Sequence, residues 1–265
     1  MGFPRNGRQH GADVAMGEWI CFSDQDDYFL DNAFDKVKTF IEANSVHNYL
    51  LTNFIMEISA TGVRHQEDAG KGWTHGKFYE RSFWKKYNIC YDEVDYCEDI
   101  NLSTKVSCIL TAEHLTYTIM EEPIYVWCRR EDSLSDIPYF VQSFPDYIKA
   151  TLNVIMDFLE KYKDDKEVCN TYQVLFLQTF LHMYFYLQSQ FFFNKKETVL
   201  SIIIVLQPIY ERFKKMFNYT NEMLINSFST DLLGLYNDTR TGDFAQIPFM
   251  EQISFKDWLS VYFNS

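Results

Sequence analysis

The densest run of groups able to do chemistry is Asp24-Gln25-Asp26-Asp27, three carboxylates in four residues directly after the apolar run 18–23. Carboxylates this close repel one another, and losing solvent worsens the repulsion. A divalent cation relieves it, and hard oxygen ligands are what Mg²⁺ and Mn²⁺ prefer. The same run also reads as a solvated acidic turn entering a helix, where the dipole favours negative charge. Both readings stand at this point. An EF-hand loop is a poor fit, because Phe29 stands where Gly is needed and Asp35 where Glu is needed. A second acidic group comprises Asp92, Glu93, Asp95, Glu98 and Asp99. Glu98 and Asp99 open a predicted helix, where they either complement its dipole or supply a general base within reach of a hydroxyl.

The elements that must hold these groups follow from periodicity and turn residues. The apolar run 18–23 predicts a buried strand, and Asp31 caps a helix from Asn32 to about Ala43. Tyr49 to Ile58 reads as a strand and Ala60-Thr61-Gly62 as a turn. The stretch 76–87 is helix-like, 89–91 extended, and 98–110 helical, with strands at 115–120 and 124–128. After Pro138 the pattern turns helical over 139–162, 166–193 and 195–217, the last interrupted at Pro208. Residues 255–263 read as a short amphipathic helix. This order predicts an α/β fold, a mixed sheet with flanking helices over residues 1–137, followed by a mainly α-helical region over 138–265.

With 265 residues, 47% of them hydrophobic, the chain has ample material for a buried core and too little polarity for disorder. A formal net charge of −13 argues against nucleic acid and against electrostatic attachment to an anionic membrane. Six cysteines without a C-x-x-C pair disfavour a zinc site and suggest a reducing compartment. Met1 to Arg8 lacks the apolar run of a signal peptide. The apolar stretch 174–193 is broken by Gln178, His182 and Gln188, so it reads as a buried or interfacial helix, with no transmembrane span expected.

Four segments together resemble the family 2 glycosyltransferases of GT-A fold. Pro4-Arg5-Asn6, followed by Ala15-x-Gly17-Glu18-Trp19-Ile20-x-Phe22-x-Asp24-x-Asp26-Asp27, is similar to that family's acidic-loop segment. Gly76-Lys77-Phe78-Tyr79-Glu80-Arg81-Ser82-Phe83 resembles its G-K-L-Y-x-R-x-F stretch, with Phe78 in place of Leu. Glu98-Asp99 looks like its E-D pair, and Pro123 to Ser135 like its P-L-Y-x-Y-R-x-R-x-x-S-I-S ending, with Cys128 in place of Arg.

The resemblance implies an inverting transfer of a sugar from a nucleotide-sugar to a hydroxyl of a glycan or lipid-linked acceptor, in bacterial-type surface polysaccharide synthesis. It implies that Asp26, with Asp27 beside it, holds Mn²⁺ or Mg²⁺, and that Asp24 contacts the nucleotide ribose or assists the metal. Asp99, paired with Glu98, would be the base; Arg130 would steady the phosphates; Trp73 and His75 would line the acceptor site. The implied location is cytoplasmic, or peripheral at the inner membrane. The family's N-terminal nucleotide-binding portion precedes the acidic loop and is not in the sequence given. The run 18–23 would then be an interior strand with a bare edge, covered by rearranged local chain, a second copy or a partner chain. The alternative is an inactive remnant whose helical half is an interaction module.

Overall fold

The structure, a computed structural model, describes residues 4–69, 72–94, 98–130, 137–192 and 196–218. The chain divides into two compact units, Met1–Tyr147 and Ile148–Ser265.

The first unit is a mixed α/β layer structure. Its elements are α1 (Pro4–Val14), β1 (Trp19–Cys21), β2 (Tyr28–Phe29), α2 (Ala33–Asn44), β3 (Tyr49–Ile58), β4 (Val63–Glu67), β5 (Lys77–Glu80), α3 (Arg81–Lys86), α4 (Glu98–Ala112) and β6 (Thr118–Arg129). The sheet runs β1-β5-β3-β6-β2, with β4 paired to β3. Among the described residues only β3 and β6 pair in parallel; the other pairings are antiparallel. Residues Tyr49 to Phe54 of β3 are all buried, as an interior strand covered on both faces requires. Ala33 and Val37 of α2 pack on Leu50, Phe78, Met120 and Ile124, closing one face of the sheet.

Several expectations are corrected here. The run 18–23 is not an interior strand of a mostly parallel sheet: β1 is terminal and antiparallel to β5, and pairs with β5 alone among the described residues. Asp31 does not cap α2. Asn32 does, in the left-handed region at φ 58° and with no side-chain cap hydrogen bond, while the Ala33 N–H bonds the Leu30 carbonyl at 3.1 Å. The stretch 76–87 is a strand followed by a short helix, β5 and α3, because residues 77–80 are drawn into the sheet by pairing with β1 and β3. The two strands at 115–120 and 124–128 are one, β6. Pro123 falls where the register jumps from Thr52↔Met120 to Phe54↔Tyr125, at an irregularity that needs no ladder N–H from it. The expectations for 98–110 and 49–58 match α4 and β3.

The described residues of the second unit are mainly helical, and α5 (Ile137–Lys161) spans the boundary between the units in sequence. With α6 (Lys166–Phe192) and α7 (Lys196–Phe217) it completes the described helices of the chain's second half. Leu152, Ile155, Met156 and Leu159 are fully buried at helical spacing. Phe176 of α6 and Phe213 of α7 stack at 4.1 Å between ring centroids. Arg212 of α7 reaches Asp157 and Glu160 of α5. Pro208 lies within α7 and does not interrupt it. The expected helix at 255–263 lies outside the described residues. Among the described residues no helix is long and apolar enough to cross a membrane.

Candidate functional site

The acidic turn is pinned from behind by β6. The Asp27 N–H bonds the Asp24 carbonyl at 3.2 Å, which folds the loop on itself. Tyr125, fully buried on β6, accepts a hydrogen bond from the Asp24 N–H at 3.2 Å and donates its hydroxyl to Asp27 Oδ2 at 2.5 Å. The Cys128 N–H donates to Asp27 Oδ1 at 2.9 Å. It is the backbone of Cys128 that acts, so a Cys in place of the resembled family's Arg leaves this contact intact. The Asp27 side chain is only 1% exposed, and burial pushes its carboxyl up to about 6 against the pull of these two donors.

A second anchor is Gly76. A Cβ there would lie 2.6 Å from the Thr52 carbonyl oxygen, and the Thr52 N–H bonds the Gly76 carbonyl at 2.7 Å. This close approach of β3 fixes His75 and Lys77 on either side. The His75 ring stacks on Tyr125 and Trp127, with centroids 5.6 and 5.3 Å away. Its Nδ1 lies 3.8 Å from Asp27 Oδ2. Burial lowers its pKa to about 4, so at neutral pH the ring is uncharged and offers a lone pair. Trp73 extends the aromatic row, 5.2 Å from Trp127.

The two acidic motifs meet through α1. Arg8, with its side chain 14% exposed, donates one guanidinium nitrogen to Asp24 and another to Glu98. These carboxylates raise the guanidinium's pKa against the opposing effect of burial. The Tyr91 N–H bonds Gln9 Oε1 at 2.9 Å and fixes the next residue of the same helix. Beside Glu98, the Asp99 carboxyl is pushed up to about 6 by burial and by Glu98, while Arg8, the Ile100 N–H and Lys77 oppose the shift. Lys77 is 4% exposed and donates to Ser103 Oγ at 2.7 Å.

The structure thus brings Asp24, Asp27 and His75 together, with one potential ligand atom from each and all three within 4.8 Å of one another. Glu98 joins them through Arg8. Asp26 lies apart from this set and pairs with the half-exposed Arg130 at 2.8 Å, a surface pair that contributes little by itself. Two carboxylates and a neutral imidazole fit a divalent cation, the oxygens suiting Mn²⁺ or Mg²⁺ and the imidazole tilting the set toward Mn²⁺. Arg8, Lys77, Tyr125 and Trp127 are not among the candidate residues that the sequence points to. Lys77, Tyr125 and Trp127 lie within the quoted segments, whereas no local signal connects Arg8 to a partner 90 residues away.

No family model matches the chain, and no curated protein matches it. Among solved structures it is similar to S. aureus TarS, with a TM-score of 0.48 and 16% identity over 67% of this chain and 31% of that one. It is also similar to residues 1–349 of S. aureus TarS, with a TM-score of 0.44 and 14% identity over 84% of this chain and 70% of that one. The chain therefore spans about a third of the length of the first of these structures. The functional reading rests on the geometry of the site.

Proposed function

We propose that this chain is an inverting glycosyltransferase-like protein of GT-A type, moving a sugar from a nucleotide-sugar to a hydroxyl of a glycan or lipid-linked acceptor in surface polysaccharide synthesis. The observation that carries the reading is Arg8, which ties Asp24 of the acidic turn to Glu98 of the E-D pair. Two motifs distant in sequence so become one acidic site. The order of the resembling segments supports the same reading.

In this reading Asp24, Asp27 and His75 would hold the cation, and Asp26 pairs with Arg130. When bound, Mn²⁺ or Mg²⁺ neutralises charge on the departing nucleoside diphosphate, the Lewis-acid role. Arg130, half exposed beside Asp26, meets the phosphates. Asp99 takes the proton of the acceptor hydroxyl as its oxygen bonds the anomeric carbon and the bond to the diphosphate breaks on the opposite face. Its raised pKa brings it close to the pH at which a carboxylate base is effective. Trp73, His75 and Trp127 form an aromatic wall on the acceptor side. The implied place of action is the cytoplasm or the inner membrane's surface, with a second copy or a partner chain against β1.

Thermal unfolding with Mn²⁺ and nucleoside diphosphates tests the reading. A ligand at one hundred times its Kd stabilises the folded state by about 2.7 kcal/mol. A metal-dependent nucleotide shift is expected for the wild type and is lost in Asp24→Asn. Asp26→Asn reports whether the ion sits at the inner cluster or farther out. Absence of any wild-type shift would overturn the proposal. It would favour the second reading, an inactive interaction module, which the internal satisfaction of Asp27 by Tyr125 and Cys128 already supports.

A further inference from the structure

Lys77 is an unexpected residue to find buried. It is 4% exposed on β5, between Gly76 and the buried Phe78. An ammonium taken out of water is costly unless opposite charge or several acceptors compensate, and an apolar side chain of the same length would fill the space at lower cost. Among the described residues the contact that holds it is a single hydroxyl: Lys77 Nζ donates to Ser103 Oγ at 2.7 Å, and Ser103 in turn donates to the Gly72 carbonyl at 2.7 Å. Ser103 stands one turn after Asp99 on α4, so the two side chains share a helix face. The tether therefore brings the ammonium to the face that carries Asp99.

The surroundings of Asp99 show what such a cation does. Glu98 lies beside it on α4, Arg8 comes from α1, Lys77 and the buried phenol of Tyr79 come from β5, and the Tyr91 phenol comes from the segment before α4. Glu98 and burial both favour a protonated Asp99. Of the two cations, Arg8 is already committed by hydrogen bonds to Asp24 and Glu98. Lys77 makes no hydrogen bond to a carboxylate among the described residues; its charge opposes the upward shift of Asp99, less strongly than that of Arg8.

We propose that Lys77 is a positioning residue for Asp99: its buried ammonium, tethered by Ser103, keeps Asp99 a carboxylate so that it can accept a proton near neutral pH. The role of Asp99 as base rests on the glycosyltransferase reading; the pairing of Lys77 with Asp99 does not. In the transfer step the acceptor hydroxyl gives its proton to Asp99 and its oxygen electron pair to the anomeric carbon. The nucleoside diphosphate leaves with the bonding pair, and Lys77 stays protonated throughout.

The test reads Asp99 directly. Carboxyl ¹³C NMR titration, with the resonance assigned through Asp99→Asn, is run on wild type, Lys77→Met and Lys77→Arg, alongside pH profiles of nucleotide-sugar turnover. Lys77→Met is expected to move the Asp99 midpoint up by about half a pH unit, roughly a threefold change in proton affinity. The acid limb of the activity profile should move with it, and Lys77→Arg should restore both. Should Lys77→Met fail to fold, Ser103→Ala removes the tether alone and is expected to give a smaller shift in the same direction. An unmoved midpoint in every folded variant overturns the proposal, as does an acid limb that stays put while the midpoint moves. If the midpoint moves but the wild type turns over no nucleotide-sugar at any pH, the pairing stands and the glycosyltransferase reading falls.

Discussion

At Gly76 the backbone φ is 65° and any Cβ would meet the Thr52 carbonyl oxygen at 2.6 Å. Gly76→Ala therefore adds both backbone strain and a clash with main chain that has no flexible end to give way. An expected loss of about 2 kcal/mol, read from urea unfolding, follows from the strain alone. The consequence for the site is larger than the number, because His75 and Lys77 are the residues on either side. The same residue-scale logic explains Asp27. Its carboxylate is oriented by one phenol and one backbone N–H of β6, while its own N–H holds the turn through the Asp24 carbonyl.

Elements join where Arg8 of α1 bridges the turn after β1 and the first turn of α4. Removing it leaves the buried Glu98 and the partly exposed Asp24 without their cation. Breaking a buried pair costs about 3–5 kcal/mol, and the exposure of Asp24 discounts this toward the lower end. Arg8→Ala is thus expected to lower stability by about 3 kcal/mol in guanidinium unfolding. Arg8→Lys should recover little, since one ammonium cannot reproduce a planar fork that meets two carboxylates. The sheet teaches a related point. Pro123 looks like a strand boundary in sequence, yet β6 passes through it because the register with β3 jumps there.

For the whole molecule, the buried ionisable groups make stability depend on pH. Lys77 falls to about 8 from an ordinary 10.5, so above pH 8 the unfolded chain binds more protons than the folded one. Stability from this group therefore rises as pH increases through 8 toward 10.5. The difference between wild type and Lys77→Met isolates it: urea midpoints measured between pH 8 and 9 should climb for the wild type relative to the variant. Asp27 and Asp99, raised to about 6, act in the opposite direction at lower pH, losing stability as pH rises from about 4 to 6. His75, lowered to about 4, gains stability over pH 4 to 6.5 and partly offsets them.

Read alone, the sequence located the acidic turn, the strand 49–58, the helix opening at Glu98 and the change to helices in the second half. Each is written in local periodicity or in the spacing of carboxylates, which a short window of chain contains in full. Only the tertiary structure decided that β1 is a terminal antiparallel strand, that 76–87 divides into strand and helix, that Arg8 joins Asp24 to Glu98, and that Lys77 is buried against Ser103. Strand order depends on pairings between distant segments, and a buried cation is recognisable only once the groups that surround it are assembled. The division of the acidic run into an inward Asp27 and an outward Asp26 has the same cause, because Tyr125 and Cys128, which hold Asp27 inside, come from the far end of the unit.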